Sequence, residues 1–268
     1  MGDSEGSEHL SEIFMELASD TRCEILKMLY DKPTQATKIA NTLKLTKQET
    51  HRNTARLVEC GFVQKNSEGF FLLTEYGRLI TYQISYFEFL DKHKKFFEQH
   101  TVRNIPEKFV QRLGALQNTQ HVVNVANVFE KLKKFESNAK DHLKIMVAQE
   151  WHEEGQILLK LIKENVTVHT LIAENSIRPD EIAESVGKQL DKIGTSKENV
   201  AHRQIERIDL GLHITETTCA AIFPNAKDQI DMNSMFVGDD EQFREWCNDV
   251  FNHYWNRSKR RVIGQSKK

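Results

Sequence analysis

Residues 34–61 read TQATKIANTLKLTKQETHRNTARLVECG, and residues 62–74 continue as FVQKNSEGFFLLT. Together they predict a winged helix-turn-helix. Thr34 stands where it can cap a short helix whose apolar positions are Ala36, Ile39, Ala40 and Leu43. A tight turn at Lys44-Leu45 follows. Thr46 then opens a second helix with Glu49 three residues on, the spacing of a capping box. The second helix, 47–60, carries Lys47, Gln48, His51, Arg52 and Arg56 on one side, and Gly61 is placed to end it. Two short β-type runs, 62–64 and 70–73, flank the turn cluster Lys65-Asn66-Ser67-Glu68-Gly69 and predict a hairpin wing.

Charge is distributed to match. The 268-residue chain has a formal net charge of -2. Residues 32–65 carry seven Lys and Arg against two Glu, a net +5, whereas residues 1–31 carry two basic against eight acidic residues, a net -6. A duplex requires a local basic face, not a basic protein. The expected DNA contacts are Thr34, Thr46, Lys47, Gln48, His51, Arg52 and Arg56, with Lys65 and Asn66 on the wing. At 39% hydrophobic and 28% charged residues the composition is that of a globular, helix-rich chain. No apolar run approaches the roughly 18–20 residues that span a bilayer. The polar, acidic start is unlike a secretory signal, and four scattered cysteines without a CxxC pair suit a cytoplasmic protein with reduced thiols.

A first long helix is expected over 9–30, with a local break or re-cap at Ser19-Asp20. Thr74 is expected to cap another helix running from about 75 to 99. Ile80, Ile84 and Phe87 form one apolar stripe of that helix; Tyr82, Tyr86, Phe89 and Phe96 form a second. Apolar surface on two sides must be covered on two sides: one by the winged helix, the other by a second domain or, as in the homodimer expected here, a second subunit. Alternating helices and strands follow. Helices are expected at 107–116, 125–139, 150–165, 179–193 and 239–257. Strands are expected at 142–148, 166–173, 203–208, 210–215 and 218–223, the last two as a hairpin. The implied fold class is α/β with an N-terminal winged helix-turn-helix, the sheet largely parallel. The implied domains are a DNA-binding domain at 1–74, a linker and dimerisation helix at 75–103, and an α/β sensing and dimerisation domain at 104–268. Residues 257–261 read as a solvated basic tail.

Several stretches also resemble the archaeal methanogenesis regulatory protein family. They are Leu45–Arg52, Leu73–Gly77, Ile105–Phe109 with Arg112-Leu113-Gly114, and the C-terminal group Ile222-Phe223-Pro224, Asp231, Gly238-Asp239, Trp246, Asp249-Val250-Phe251 and Tyr254-Trp255. TrmB-type regulators are a more distant likeness. The resemblance implies a winged helix-turn-helix joined to a phospholipase-D-like, catalytically silent sensor domain, and hence an organic effector. Thr50 and Thr54 depart from the aliphatic residues many such helices place on the core side, where a threonine hydroxyl can bond back to the i−4 carbonyl.

Catalytic patterns are incomplete. Phospholipase-D chemistry needs His-x-Lys with an Asp five residues beyond the Lys. His93-Lys94-Lys95 meets His100 at that distance, and His142-Leu143-Lys144 meets Gln149. A zinc-protease helix at His152-Glu153 would need His at 156, where Gln stands. His202, His213 and Cys219 have no recognised metal spacing. No metal and no cofactor are therefore implied. Trp246, Cys247, Val250, Phe251, Tyr254 and Trp255 recur at helical spacing as core or dimer packing. Ligands of open α/β sheets bind beyond the carboxyl ends of strands, which nominates Gln149, Glu150 and Trp151 after one strand and Glu174 and Asn175 after the next. The expected protein is a ligand-responsive, homodimeric regulator of double-stranded DNA, with no membrane partner. The competing reading is a phosphodiesterase-like α/β enzyme carrying a winged helix for protein interaction.

Overall fold

The computed structural model describes residues 5–149, 152–177 and 199–260. The chain divides into two compact units, 1–91 and 92–268.

In the first unit the expected long helix is two helices, α1 (Glu5–Leu17) and α2 (Asp20–Asp31). Ser19 lies extended between them, and its hydroxyl accepts the Arg22 amide at 3.4 Å. The short polar side chain thus substitutes for the missing helical acceptor and starts a new helix. Two helices follow, α3 (Ala36–Leu43) and α4 (Lys47–Glu59). The wing is β2 (Val63–Lys65) paired antiparallel with β3 (Phe70–Leu73). A two-residue strand absent from the sequence reading, β1 (Thr34–Gln35), pairs with β3, opposing Thr34 to Phe71. Thr34 is therefore not the helix cap. Gln35 holds that position without a side-chain bond, and the Thr34 hydroxyl donates to the Lys32 carbonyl at 3.0 Å. Ile25, Leu26, Ile39, Leu57 and Phe62 are essentially without exposure and form the core with Ile84 of α5.

Helix α5 (Glu75–Lys92) begins as expected, with the Thr74 hydroxyl accepting the Gly77 amide at 2.9 Å and donating to the Gly61 carbonyl at 2.6 Å. It stops short of residue 99: His93 is non-helical, and a separate turn, α6 (Lys94–Phe97), follows. A Cβ on Gly77 would lie 1.8 Å from the Phe62 carbonyl oxygen, so only glycine permits this approach of helix to wing.

Among the described residues, the second unit is built on an eight-stranded sheet. Its strands are β4 (Gln120–Val123), β5 (His142–Gln149), β6 (Thr167–Ile177), β7 (Val200–Ile205), β8 (Gly211–Thr215), β9 (Cys219–Ile222), β10 (Ser234–Gly238) and β11 (Lys259–Arg260), in the order β11-β7-β6-β5-β8-β9-β10-β4. Among the described residues, only β5–β6 and β6–β7 pair in parallel. The sheet is mixed, not largely parallel, because short connections such as Thr215–Thr218 between β8 and β9 reverse the chain directly. Part of the expected basic tail is ordered as β11 against β7.

Among the described residues this unit holds, besides α6, the helices α7 (Glu107–Val110), α8 (Val125–Glu136), α9 (His152–Lys163) and α10 (Glu241–Trp255), with a 3₁₀ turn at Leu113–Leu116 splitting the helix expected over 107–116. Leu143, Ile145 and Val147 of β5 face the cluster that includes Ile157 and Leu161 of α9. Alternation sends Lys144 to the other face, where its Nζ bonds Asn248 of α10. The aromatic residues of α10 are core of this unit: Trp246, Phe251 and Tyr254 are buried, and Trp246 Nε1 donates to the Phe109 carbonyl at 3.0 Å. The helix expected at 179–193 lies outside the described residues.

Candidate nucleic-acid interface

The geometry of α4 follows from four local devices. At its N-terminus the capping box is complete. The Thr46 hydroxyl accepts the Glu49 amide at 3.1 Å, and the Glu49 carboxylate accepts the Thr46 amide and hydroxyl, each at 2.8 Å. The Thr46 amide holds the Glu49 carboxyl below the ordinary carboxylate value, with the hydroxyl adding to the effect. Ahead of it, Lys44 adopts the left-handed conformation at φ 55°, letting the Leu45 amide reach the Ala40 carbonyl at 2.9 Å and turn the chain from α3 into α4. At the C-terminus Gly61, at φ 75°, closes a Schellman motif, with Phe62 N–H to Leu57 and Gly61 N–H to Val58.

The fourth device is on the inner side of α4. Thr50, Asn53 and Thr54 are all buried. Each bonds back to the carbonyl four residues earlier, at 3.0, 2.9 and 2.9 Å. The anticipated threonine back-bonding is thus present, and Asn53 extends it. Such bonds satisfy buried polar groups without a partner from another element.

The outer side presents Lys47, Gln48, His51 and Arg52, all exposed. Positions 47 and 51, like 48 and 52, are four apart and so adjacent on one face. Thr46 is exposed at the helix start. Two expected contacts are used elsewhere. Thr34 is 2% exposed, and a side chain buried in the β1–β3 pair has no atom to offer a duplex. Arg56 is held by Glu16, its Nε 3.1 and 3.2 Å from the two carboxylate oxygens and its Nη2 bonded as well. Glu16 is buried, also pairs with Arg22 at 2.8 Å, and is kept below the ordinary carboxylate value foremost by the Arg56 bond. The Glu16–Arg22–Arg56 set was invisible to pattern reading, because 40 residues separate Glu16 from Arg56.

On the wing, Lys65 is exposed and its ammonium sits 5.5 Å from the Phe71 ring centroid. Asn66 is also exposed, but its side-chain oxygen accepts the Glu68 and Phe70 amides at 3.1 and 2.9 Å. It shapes the turn that presents Lys65, and Gly69 at φ 84° completes it.

The nominated effector residues fare differently. Gln149 ends β5, while Glu150 and Trp151 lie outside the described residues. Glu174 and Asn175 are not beyond a strand end: β6 continues to Ile177, and Glu174 is exposed on it. His213, weighed as a metal ligand, is buried with its Nδ1 2.5 Å from Glu136 Oε1.

The residues that carried the family resemblance in the second unit are joined to one another. Arg112 bonds Asp249 at 2.6 Å, and Trp246 stacks with Phe223 at 6.5 Å. Residues 128–257 match the family model described as methanogenesis regulatory protein FilR1, middle domain. That stretch belongs to the FilR1 middle-domain family. No curated protein sequence matches the chain. Among solved structures, the chain is similar to TrmBL2, an archaeal chromatin protein, at 13% identity and a TM-score of 0.43, over 85% of this chain and 88% of that one. It is also similar to Nuc from Salmonella typhimurium, a phospholipase D family member, at 12% identity and a TM-score of 0.42, over 54% of this chain and 97% of Nuc. NucT from Helicobacter pylori gives 9% identity and a TM-score of 0.42, over 54% and 99%.

Proposed function

We propose that this protein is a sequence-specific, DNA-binding transcription regulator that acts as a homodimer and answers to a small-molecule effector through residues 104–268. The observation that carries the reading is the two-sided construction of α4. Lys47, Gln48, His51 and Arg52 stand free on the outer side, while every buried polar residue within it bonds its own backbone. A helix held this way offers a rigid donor set of the size that enters a major groove. The match of residues 128–257 to the FilR1 middle-domain model supports a regulatory role.

The dimer reading rests on apolar surface left open in the first unit. Leu79, Tyr82 and Phe87 of α5 are 62%, 49% and 49% exposed, and Phe14 of α1 is 52% exposed. Phe89, expected on one stripe with Tyr82, is buried, and Phe87, expected on one stripe with the buried Ile84, is exposed. Phe87→Glu therefore tests assembly, whereas the same change at Phe89 would break the core. Sedimentation of Phe87→Glu as a monomer that still folds is the expected result; a monomeric wild type at micromolar concentration ends the dimer reading.

Fluorescence anisotropy with duplex DNA across a salt series tests the whole. Log affinity is expected to fall against log salt by about 0.9 for each phosphate contacted. Selected sites should bind more tightly than random duplex by a factor on the order of 10³ or more. A flat salt dependence, or equal affinity for all sequences, rejects the regulator reading.

A further inference from the structure

Four basic groups converge on the α10 side of the second unit's sheet. Lys144 on β5 and His169 on β6 are direct cross-strand partners. His142 lies two residues before Lys144, and Arg203 on β7 pairs with Leu171, two residues after His169. Spacing by two keeps all four on one face. All are half-buried. Lys144 Nζ donates to Asn248 Oδ1 at 2.7 Å and lies 5.8 Å from the Phe251 ring centroid. Arg203 Nη1 donates to the Trp255 carbonyl at 2.9 Å, and its guanidinium lies 4.5 Å from that ring. His169 stacks on Trp255 at 4.9 Å.

Among the described residues, no carboxylate bonds Lys144, His169, Arg203 or the His142 ring. Asp141 and Glu216 act on His142 but not on Lys144 or His169. Glu216 is occupied by the backbone amides of Lys140, Asp141 and His142 at 3.0, 3.4 and 3.5 Å. Burial holds the Lys144 ammonium and both imidazoles below their ordinary values, and for the imidazoles the neighbouring cations add to it. Partial burial of several like charges costs free energy that a counter-charge offsets. A concentrated negative charge with several acceptor oxygens suits four donors on one face.

We propose that Lys144, His169, Arg203 and His142 form a binding site for a phosphoryl dianion. Lys144 and Arg203 supply permanent charge; the imidazoles donate once protonated by the approach of the anion. A dianion neutralises both permanent cations, which a carboxylate or a phosphodiester, each a monoanion, does not. The site does not depend on the DNA-binding reading and stands or falls apart from it.

The test is NMR titration of the full-length protein with inorganic phosphate near pH 7, following the histidine ring resonances. Phosphate is expected to shift His142 and His169 saturably and to raise their pKa values, since a neighbouring anion favours the charged ring. Acetate and dimethyl phosphate at matched ionic strength should bind at least about tenfold more weakly, a difference of about 1.4 kcal/mol. Lys144→Gln should weaken phosphate binding by a similar factor and Lys144→Arg should restore it. Arg203→Gln gives the same readout if Lys144→Gln does not fold. The proposal is overturned by the absence of a saturable shift, by an equal response to acetate, or by unchanged affinity in a folded Lys144→Gln or Arg203→Gln.

Discussion

The two basic surfaces of this protein are built in opposite ways. On α4 the cations are exposed, and Arg56, bonded to the buried Glu16, is drawn out of the set. On the sheet Lys144, His169 and Arg203 are half-buried, and among the described residues no carboxylate bonds them. Exposed cations on a fixed helix cost little to maintain and suit a long polyanion, whose many weak contacts are screened by salt. Half-buried cations are costly unless something offsets them, and they suit one compact anion held at short range. The frames differ as well. The helix depends on a small core and one indispensable glycine; the cationic cluster stands on adjacent strands within an eight-stranded sheet.

Breaking the first frame alone is the largest expected effect. Gly77→Ala places a Cβ 1.8 Å from the Phe62 carbonyl oxygen and 2.6 Å from its carbon. Backbone must move, at a cost of about 3 kcal/mol or more. All three tryptophans, Trp151, Trp246 and Trp255, belong to the second unit. Tryptophan fluorescence should therefore report an unchanged transition while helical circular dichroism reports early loss of the first unit. Equal shifts in both signals would mean that the two frames do not fold independently.

Glu16→Gln comes next. It leaves Arg22 and Arg56 without their shared carboxylate. Removing one partner of a buried pair costs several kcal/mol, but Arg56 is 46% exposed and solvent screens it, so about 2 kcal/mol is expected. The Glu16 carboxyl is held below the ordinary value of 4.5 in the folded state. Its contribution is thus complete above that value and disappears as pH falls through the lower folded one. Urea midpoints of wild type and variant should differ near pH 7 and converge in acid. A difference that persists at low pH would show that the cost is packing and not charge.

Structure set by near neighbours is legible in the sequence, and structure set at long range is not. The capping box, the stop at Gly61, the threonine back-bonds and the wing turn are all set within five residues, so their side-chain chemistry declares them locally. Arg56 looked like its neighbours on the helical wheel; its role is decided by a residue 40 positions away. β1 has two residues and β10 is buried at four of its five positions, so neither shows the alternation that marks a half-buried strand. Strand order follows from connection lengths and nonlocal pairing, which is why an alternating helix–strand pattern suggested a parallel sheet that turned out mixed. The cationic cluster was scattered over three strands, and only the register of β5, β6 and β7 brings it together.

Arg52→Ala probes base reading on the exposed surface. Arginine bonds guanine bidentately in the major groove, so the loss should be about 1–3 kcal/mol at one operator position and small elsewhere. Competition binding against a panel of single-base operator variants measures this. Uniform weakening across the panel would assign Arg52 to phosphate and move base reading to Gln48 or His51.

The smallest effect separates the two surfaces most directly. Lys65 stands on the wing above Phe71, so Lys65→Ala forfeits a cation–π contact worth on the order of 0.5–1 kcal/mol. On DNA it should remove one released counterion and lower the magnitude of the salt slope by about 0.9, with specificity nearly unchanged. Lys144→Gln, the corresponding change on the sheet, should leave that slope where it was, because a half-buried ammonium bonded to Asn248 is not placed to track a polyanion. A slope that falls in Lys144→Gln and stays fixed in Lys65→Ala would assign nucleic acid to the sheet face and reverse the roles given to the two surfaces.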